Sequence, residues 1–234
     1  MTTTLFAPPC AAEHHDIASS TALLMQSRQT ILPKRLVAPG PDTRQIAIMF
    51  DAAATAPDHG QLLPWRFVLV PQAARACLAS VFGAALLERD AAATPEQVSQ
   101  AREKAWRAPL LLLLIVDSLC GDTDIDLPER IVSAGCAVQN MLLMATALGY
   151  GSALTSGKAL KSTGLRTLFA LGQAEQALCF VSVGTVQASK KARARPPLLQ
   201  FVSTLRPDAS VVPGFHCADS LATPHVAQHL TCHF

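Results

Sequence analysis

A chain of 234 residues, half of them apolar and only 15% charged, can bury a full core and is too apolar to be disordered. Its net charge of +2 excludes a nucleic-acid coat, its 12 glycines exclude collagen, and 5% aromatic residues disfavour a base-stacking platform. Ordinary soluble domains carry roughly 25% charged residues, so some outer surface is expected to be covered as well, most simply in a homodimer.

Residues 1–15 read as a flexible tail without the basic and apolar regions of a secretory signal. From Asp16 to Gln26 the chain has helical character, with Ile17, Ala22, Leu23, Leu24 and Met25 as its apolar set. A proline-studded connector spans Pro33 to Pro41. Asp42 then opens a second helix, in which Ile46, Met49 and Phe50 recur at three- and four-residue steps. The turn Pro57-Asp58-His59-Gly60 leads to a strand from Trp65 to Val70 and a helix from Ala73 to Leu87. Thr94-Pro95 caps a further helix running to about Trp106.

The unbroken apolar run Leu110 to Val116 predicts a central strand covered on both faces. An acidic loop, Asp117 to Asp126, precedes Ile131 to Gly149. That segment is long enough to span a bilayer, but Gln139-Asn140 at its centre and two glycines make it a helix buried on all faces of a soluble protein. A short helix around Lys158 to Phe169 and a strand from Ala177 to Val183 follow. After Ala188 come Lys190, Lys191, Arg193 and Arg195, then Pro196-Pro197 and an extended tail over 200–234. The expected organisation is therefore a tail over 1–15, a domain over 16–199 and a second tail. Seven cysteines without a CxxC pair read as buried or free thiols of a reducing cytosol.

Walker, GxGxxG, GxSxG and HExxH motifs are all missing from the sequence. Four other segments could carry chemistry. Ser27-Arg28-Gln29-Thr30 lies where a helix gives way to a loop, and a guanidinium followed two residues later by a hydroxyl can grip a phosphate. By itself such an arginine more often complements a helix dipole. His59-Gly60-Gln61-Leu62-Leu63-Pro64-Trp65 joins a turn to a strand, and its bland reading is a loop with an exposed histidine. Ser133 to Asn140, followed by Gly149-Tyr150-Gly151 and Leu154-Thr155-Ser156-Gly157, offers glycines that let backbone approach a planar ligand. A helix with a glycine C-cap explains Gly149 equally well. Arg193 and Arg195 belong to a cation run that is otherwise a solvated patch.

In order and spacing these segments resemble the nitroreductase family, and the Pro-Asp-His turn resembles its compact subgroup. The resemblance implies an α+β fold, a central mainly antiparallel sheet flanked by helices, in an obligate homodimer with two FMN sites at the interface. It implies that Arg28, Gln29 and Thr30, with Arg193 and Arg195, hold the ribityl phosphate and the adjacent flavin edge. Leu154, Thr155, Ser156 and Gly157 would line the isoalloxazine, and His59 and Leu63 would arrive from the partner subunit. Three positions depart from the family: Leu63 replaces the usual Gln, Thr30 replaces the usual Ser but keeps its hydroxyl, and Leu32 replaces the cation that commonly faces flavin N1 and O2. Lys34, Lys104 and Arg107 are the alternatives for that charge.

The implied activity is a cytoplasmic FMN-dependent NAD(P)H oxidoreductase. Hydride passes through flavin N5 by a ping-pong cycle to nitroaromatic or quinone acceptors, with no catalytic residue from the protein. Loops 83–95 and 117–127 are expected to set acceptor choice. The rivals are a flavin-dependent dehydrogenase or flavin-fragmenting relative, and a non-enzymatic flavin-binding interaction module. His225, His229 and Cys232 have spacing that Zn²⁺ could use on a helix, but no second ligand cluster accompanies them. An interface arm or disordered tail is the preferred reading, with no metal and neither nucleic acid nor membrane as partner.

Overall fold

Strand β3 (Leu110–Asp117) organises the first unit, because its apolar run leaves neither face free for solvent. Leu110, Leu112 and Leu114 face helices α2 (Thr43–Ala54) and α5 (Leu127–Ala147), meeting Met49, Ala134, Val138 and Met141. Leu111, Leu113 and Ile115 point the other way, toward Leu78 and Ala79 of α3 (Arg75–Arg89) and Leu165 of α6 (Thr163–Leu168). Two helical layers thus cover one sheet. The computed structural model describes residues 11–188 and 194–215, with side chains from residue 14.

The sheet is built from antiparallel ladders. β2 (Trp65–Leu69) pairs with β3, and β3 with β5 (Glu175–Val186), whose other edge takes β4 (Gly151–Thr155) and the short β1 (Leu36–Val37). With helices α1 (Ala11–Ser27) and α4 (Pro95–Glu103), this is the expected α+β architecture. Capping boxes start α2 (Asp42 with Gln45) and α4 (Thr94 with Gln97), so both helices begin where their sequences predict.

Several elements differ from expectation. The first helix begins at Ala11 rather than Asp16. The segment after Gly149 forms a true strand, β4, and β5 extends at both ends of its apolar centre. Helix α5 is not buried all round: Ala137 and Met141 are fully buried, whereas Val132 is 64% exposed and Ile131 40%. A single chain leaves this stripe uncovered. No helix among the described residues is long and apolar enough to cross a membrane.

Two buried arginines tie loops to this frame without any carboxylate. Arg75, wholly buried at the start of α3, donates to the carbonyls of Val70 (2.9 Å), Ala105 (2.6 Å), Arg107, Ala108 and Pro109. Burial alone lowers its pKa. Arg130 on α5 donates to the carbonyls of Cys120 (2.7 Å), Asp122 and Ile125 (2.8 Å), folding the acidic loop back onto the helix.

The chain divides into two units, Met1–Lys190 and Lys191–Phe234. In the described part of the second, β6 (Ser203–Leu205) and β7 (Val211–Pro213) form an antiparallel hairpin where an extended tail was expected.

Candidate functional site

A cleft of about 730 Å³ opens on the α3 side of the sheet. One wall is the stretch from Thr155, the last residue of β4, to Leu160; the other comes from Phe82, Leu86 and Arg89 of α3 and from α4 with the turn after it. Leu111, Phe180 and Ser182 of the sheet form its floor, with Leu32 at one side. Of the residues expected around a flavin ring, Thr155, Ser156 and Gly157 line this cleft, while Leu154 does not and is 41% exposed. The backbone N–H groups of Ser156 and Gly157 donate to no other group among the described residues. A Cβ built on Gly157 would meet nothing within 4 Å, so the cleft is open at that point.

Of residues 28–32 only Leu32 lines the cleft; Arg28, Gln29 and Thr30 do not, and their segment is joined to β4. Thr30 forms a parallel bridge with Ser152, and the Ile31 amide donates to the Ser152 carbonyl at 2.9 Å. Gly151 makes this closure possible. A Cβ there would stand 2.5 Å from Val186 Cγ2, 2.9 Å from Leu36 Cδ2 and 3.1 Å from Ile31 Cγ1. Gly151→Ala is therefore expected to force Val186 of β5 and the Leu36 and Ile31 side chains away from β4 and destabilise the fold by about 1–3 kcal/mol, read as a shift in urea midpoint. Arg28 and Gln29 are half-buried beside the bridge and Thr30 is exposed.

Of the three cations considered for the charge absent at Leu32, two lie at the cleft. Lys104 and Arg107 line the cleft and Lys34 does not. Both sit on the segment that Arg75 clamps through the carbonyls of Ala105 and Arg107.

His59 and Leu63 lie outside the cleft of their own chain. They belong to a strained loop: Gly60, Gln61 and Leu63 all have positive φ (67°, 53° and 48°), and Leu63 is 63% exposed. Three contacts hold the loop. The Leu63 amide donates to Asp58 Oδ2 at 2.7 Å, Trp65 Nε1 donates to the buried Ser133 hydroxyl of α5 at 3.0 Å, and His59 Nδ1 meets Glu129 Oε2 at 2.8 Å. Leu62 also packs against the left-handed Gly121 of the acidic loop, where a Cβ would come within 2.5 Å of Leu62 Cδ2. The 58–63 and 117–126 loops thus form one structure at the start of α5.

The hydrogen bond and the charge of Glu129 raise the His59 pKa above its ordinary 6.5, with smaller contributions from Asp122 and Asp58. A pKa raised on folding means that the pair's contribution is full below the unfolded value. It is lost as pH rises through the folded one. An NMR titration of the His59 ring is expected to show a midpoint above 6.5, falling back toward it in Glu129→Gln; equal midpoints would contradict the pairing.

Arg195 is exposed in the second unit, and Arg193, like His225, His229 and Cys232, lies outside the described residues. Among the described residues no group of three or more histidines, cysteines and carboxylates could hold a metal ion.

A model of the nitroreductase family matches residues 27–185, the stretch that contains the cleft, the 58–63 loop and the whole sheet. The chain belongs to the nitroreductase family. A Haemophilus influenzae protein named "Putative NAD(P)H nitroreductase" is 32% identical over 154 residues, covering 65% of this nitroreductase-family chain and 82% of the relative. Among solved structures, the nitroreductase-like family protein of Bacillus cereus superposes with a TM-score of 0.67 at 14% identity, covering 86% of this chain and 97% of that one. An FMN-dependent nitroreductase of Clostridium difficile gives 0.53 at 19% identity, covering 73% and 90%.

Sequence reasoning missed Arg75, Arg89, Glu129, Arg130 and Lys158. A lone Arg75 or Arg130 looks like a surface cation, and Arg89 at the end of α3 looks like a dipole partner. Pro128-Glu129 looks like an ordinary acidic first turn. Only the fold shows what each touches.

Proposed function

We propose that this chain is a cytoplasmic, FMN-dependent NAD(P)H oxidoreductase that works as a homodimer. The observation that carries the reading is the cleft itself. In one cavity it combines the unpaired N–H groups of Ser156 and Gly157, an apolar floor, and the cations Lys104 and Arg107. That donor set suits a flat, electron-poor ring with acceptor atoms along one edge. When bound, FMN supplies the redox chemistry, taking hydride from NAD(P)H and passing it to an acceptor such as a quinone or nitroaromatic.

The chain's own residues bind, orient and stabilise. Arg28 and Thr30, with Gln29 between them, face the phosphate and ribityl chain from the segment stitched to β4. Thr155 to Gly157 set the ring against the cleft wall, with Leu154 beside them. Lys104 or Arg107 balances negative charge at the pyrimidine edge. Arg193 and Arg195 enter this reading through the family resemblance alone. His59 and Leu63 act in the partner's cleft, which explains why one chain holds them in a strained, exposed loop away from its own cavity. The exposed Ile131 and Val132 on α5 are apolar surface that a second chain would cover. Because donor and acceptor use one cleft, each must leave before the other enters, which is ping-pong order.

The test is an anaerobic titration of the FMN-loaded protein with NADPH. The yellow absorbance is expected to disappear and to return on adding menadione. A protein that neither takes up FMN nor oxidises NADPH would overturn the proposal, and colour that bleaches without ever returning would favour a non-enzymatic module.

A further inference from the structure

The cleft carries more positive charge than a flavin ring requires. Four cations line it, Arg89, Lys104, Arg107 and Lys158, against a single carboxylate, Glu103. None of the four is in an ion pair among the described residues. One of Lys104 and Arg107 suffices for the pyrimidine edge of the ring. Arg89, at the end of α3, and Lys158, next to Gly157, come from opposite walls, and both are exposed at the rim. The α3 wall that carries Arg89 is otherwise apolar and aromatic at Phe82 and Leu86, and the Phe82 ring meets Phe180 edge-to-face with centroids 5.6 Å apart.

Resting on the oxidoreductase reading above, we propose that the electron acceptor of this protein is an anionic aromatic molecule. Its ring lies along Phe82 and Leu86, and its carboxylate or sulfonate is taken by Arg89 and Lys158. Unpaired cations around a low-dielectric cavity concentrate anions and speed their entry. They also favour a reaction that places negative charge on the acceptor. For a quinone the balance is NAD(P)H plus a proton plus quinone giving NAD(P)⁺ plus hydroquinone: a hydride adds to the acceptor, and a proton from solvent completes the second O–H. Rim cations stabilise the anion that exists between those two events. A neutral acceptor gains only the second benefit; an anionic one gains both.

The experiment compares 4-nitrobenzoate with 4-nitrobenzamide, which share a ring and a nitro group and differ in charge, using the FMN-loaded enzyme and either NADPH or NADH. The wild type is expected to show a higher kcat/KM for the carboxylate, and the preference should shrink as salt is raised. In Arg89→Gln/Lys158→Gln the loss for 4-nitrobenzoate is expected to exceed that for 4-nitrobenzamide by about tenfold. Calorimetric titration with benzoate, which is not reduced, should show weaker binding to the variant by a similar factor.

Equal losses for both acceptors would overturn the proposal, as would unchanged benzoate binding. So would a loss confined to NADPH relative to NADH, which would assign the cations to the donor's phosphate, or a loss of FMN, which would assign them to the cofactor. A wild type that holds FMN yet reduces neither acceptor would bring down the oxidoreductase reading itself.

Discussion

Arg75→Met is expected to destabilise the fold by about 3–5 kcal/mol. The side chain is wholly buried, and its partners are all carbonyls, so methionine fills much of the space but leaves those oxygens without donors. A buried acceptor that loses its partner costs roughly 1–3 kcal/mol. The contacts to Val70, Ala105 and Ala108 are buried, whereas water can reach Arg107 and Pro109. Three orphaned acceptors at the lower figure already amount to about 3 kcal/mol. Chemical denaturation should show a lower midpoint with an unchanged slope. Arg75→Lys, which keeps the charge but cannot fork, should fall between the two. A change below about 0.5 kcal/mol, the size of an ordinary surface substitution, would contradict the role given to Arg75. The same variant is expected to loosen the 104–109 segment and with it the placement of Lys104 and Arg107.

FMN affinity should respond most to the segment held on β4. Arg28→Ala combined with Thr30→Val removes a charge-assisted hydrogen bond worth about 1.5–3 kcal/mol and a neutral one worth about 1 kcal/mol. Together they predict roughly a hundredfold weaker FMN binding, measured by quenching of flavin fluorescence. The fold should survive, because Thr30 is exposed and Arg28 only half-buried. Unchanged affinity in a folded double variant would mean that the phosphate lies elsewhere.

Much of this architecture can be read before any coordinates. The run Leu110 to Val116 dictates a strand with two covered faces, and it forms one. The Asp42 and Thr94 caps fix two helix starts through local hydrogen bonds. Strand β4 is different. Gly151-Ser152-Ala153 has little β propensity of its own, and its extended form comes from pairing with β5, far along the chain. The same limit hides the roles of Arg75 and Arg130, whose partners are backbone carbonyls with no residue-type signal. It hides the Glu129–His59 pair as well, since 70 residues separate the two. Helix α5 departs from its composition for another reason. Its composition is apolar all round, and a sequence does not distinguish a face covered by its own chain from one left for another.

In the assembly proposed above, two of these chains together hold two molecules of FMN, each in a cleft closed by the other chain's 58–63 loop. Native mass spectrometry of the FMN-loaded protein tests this most directly. A single dominant species with the mass of two chains and two FMN is expected. A one-chain species that retains FMN, or a two-chain species that binds none, would contradict it.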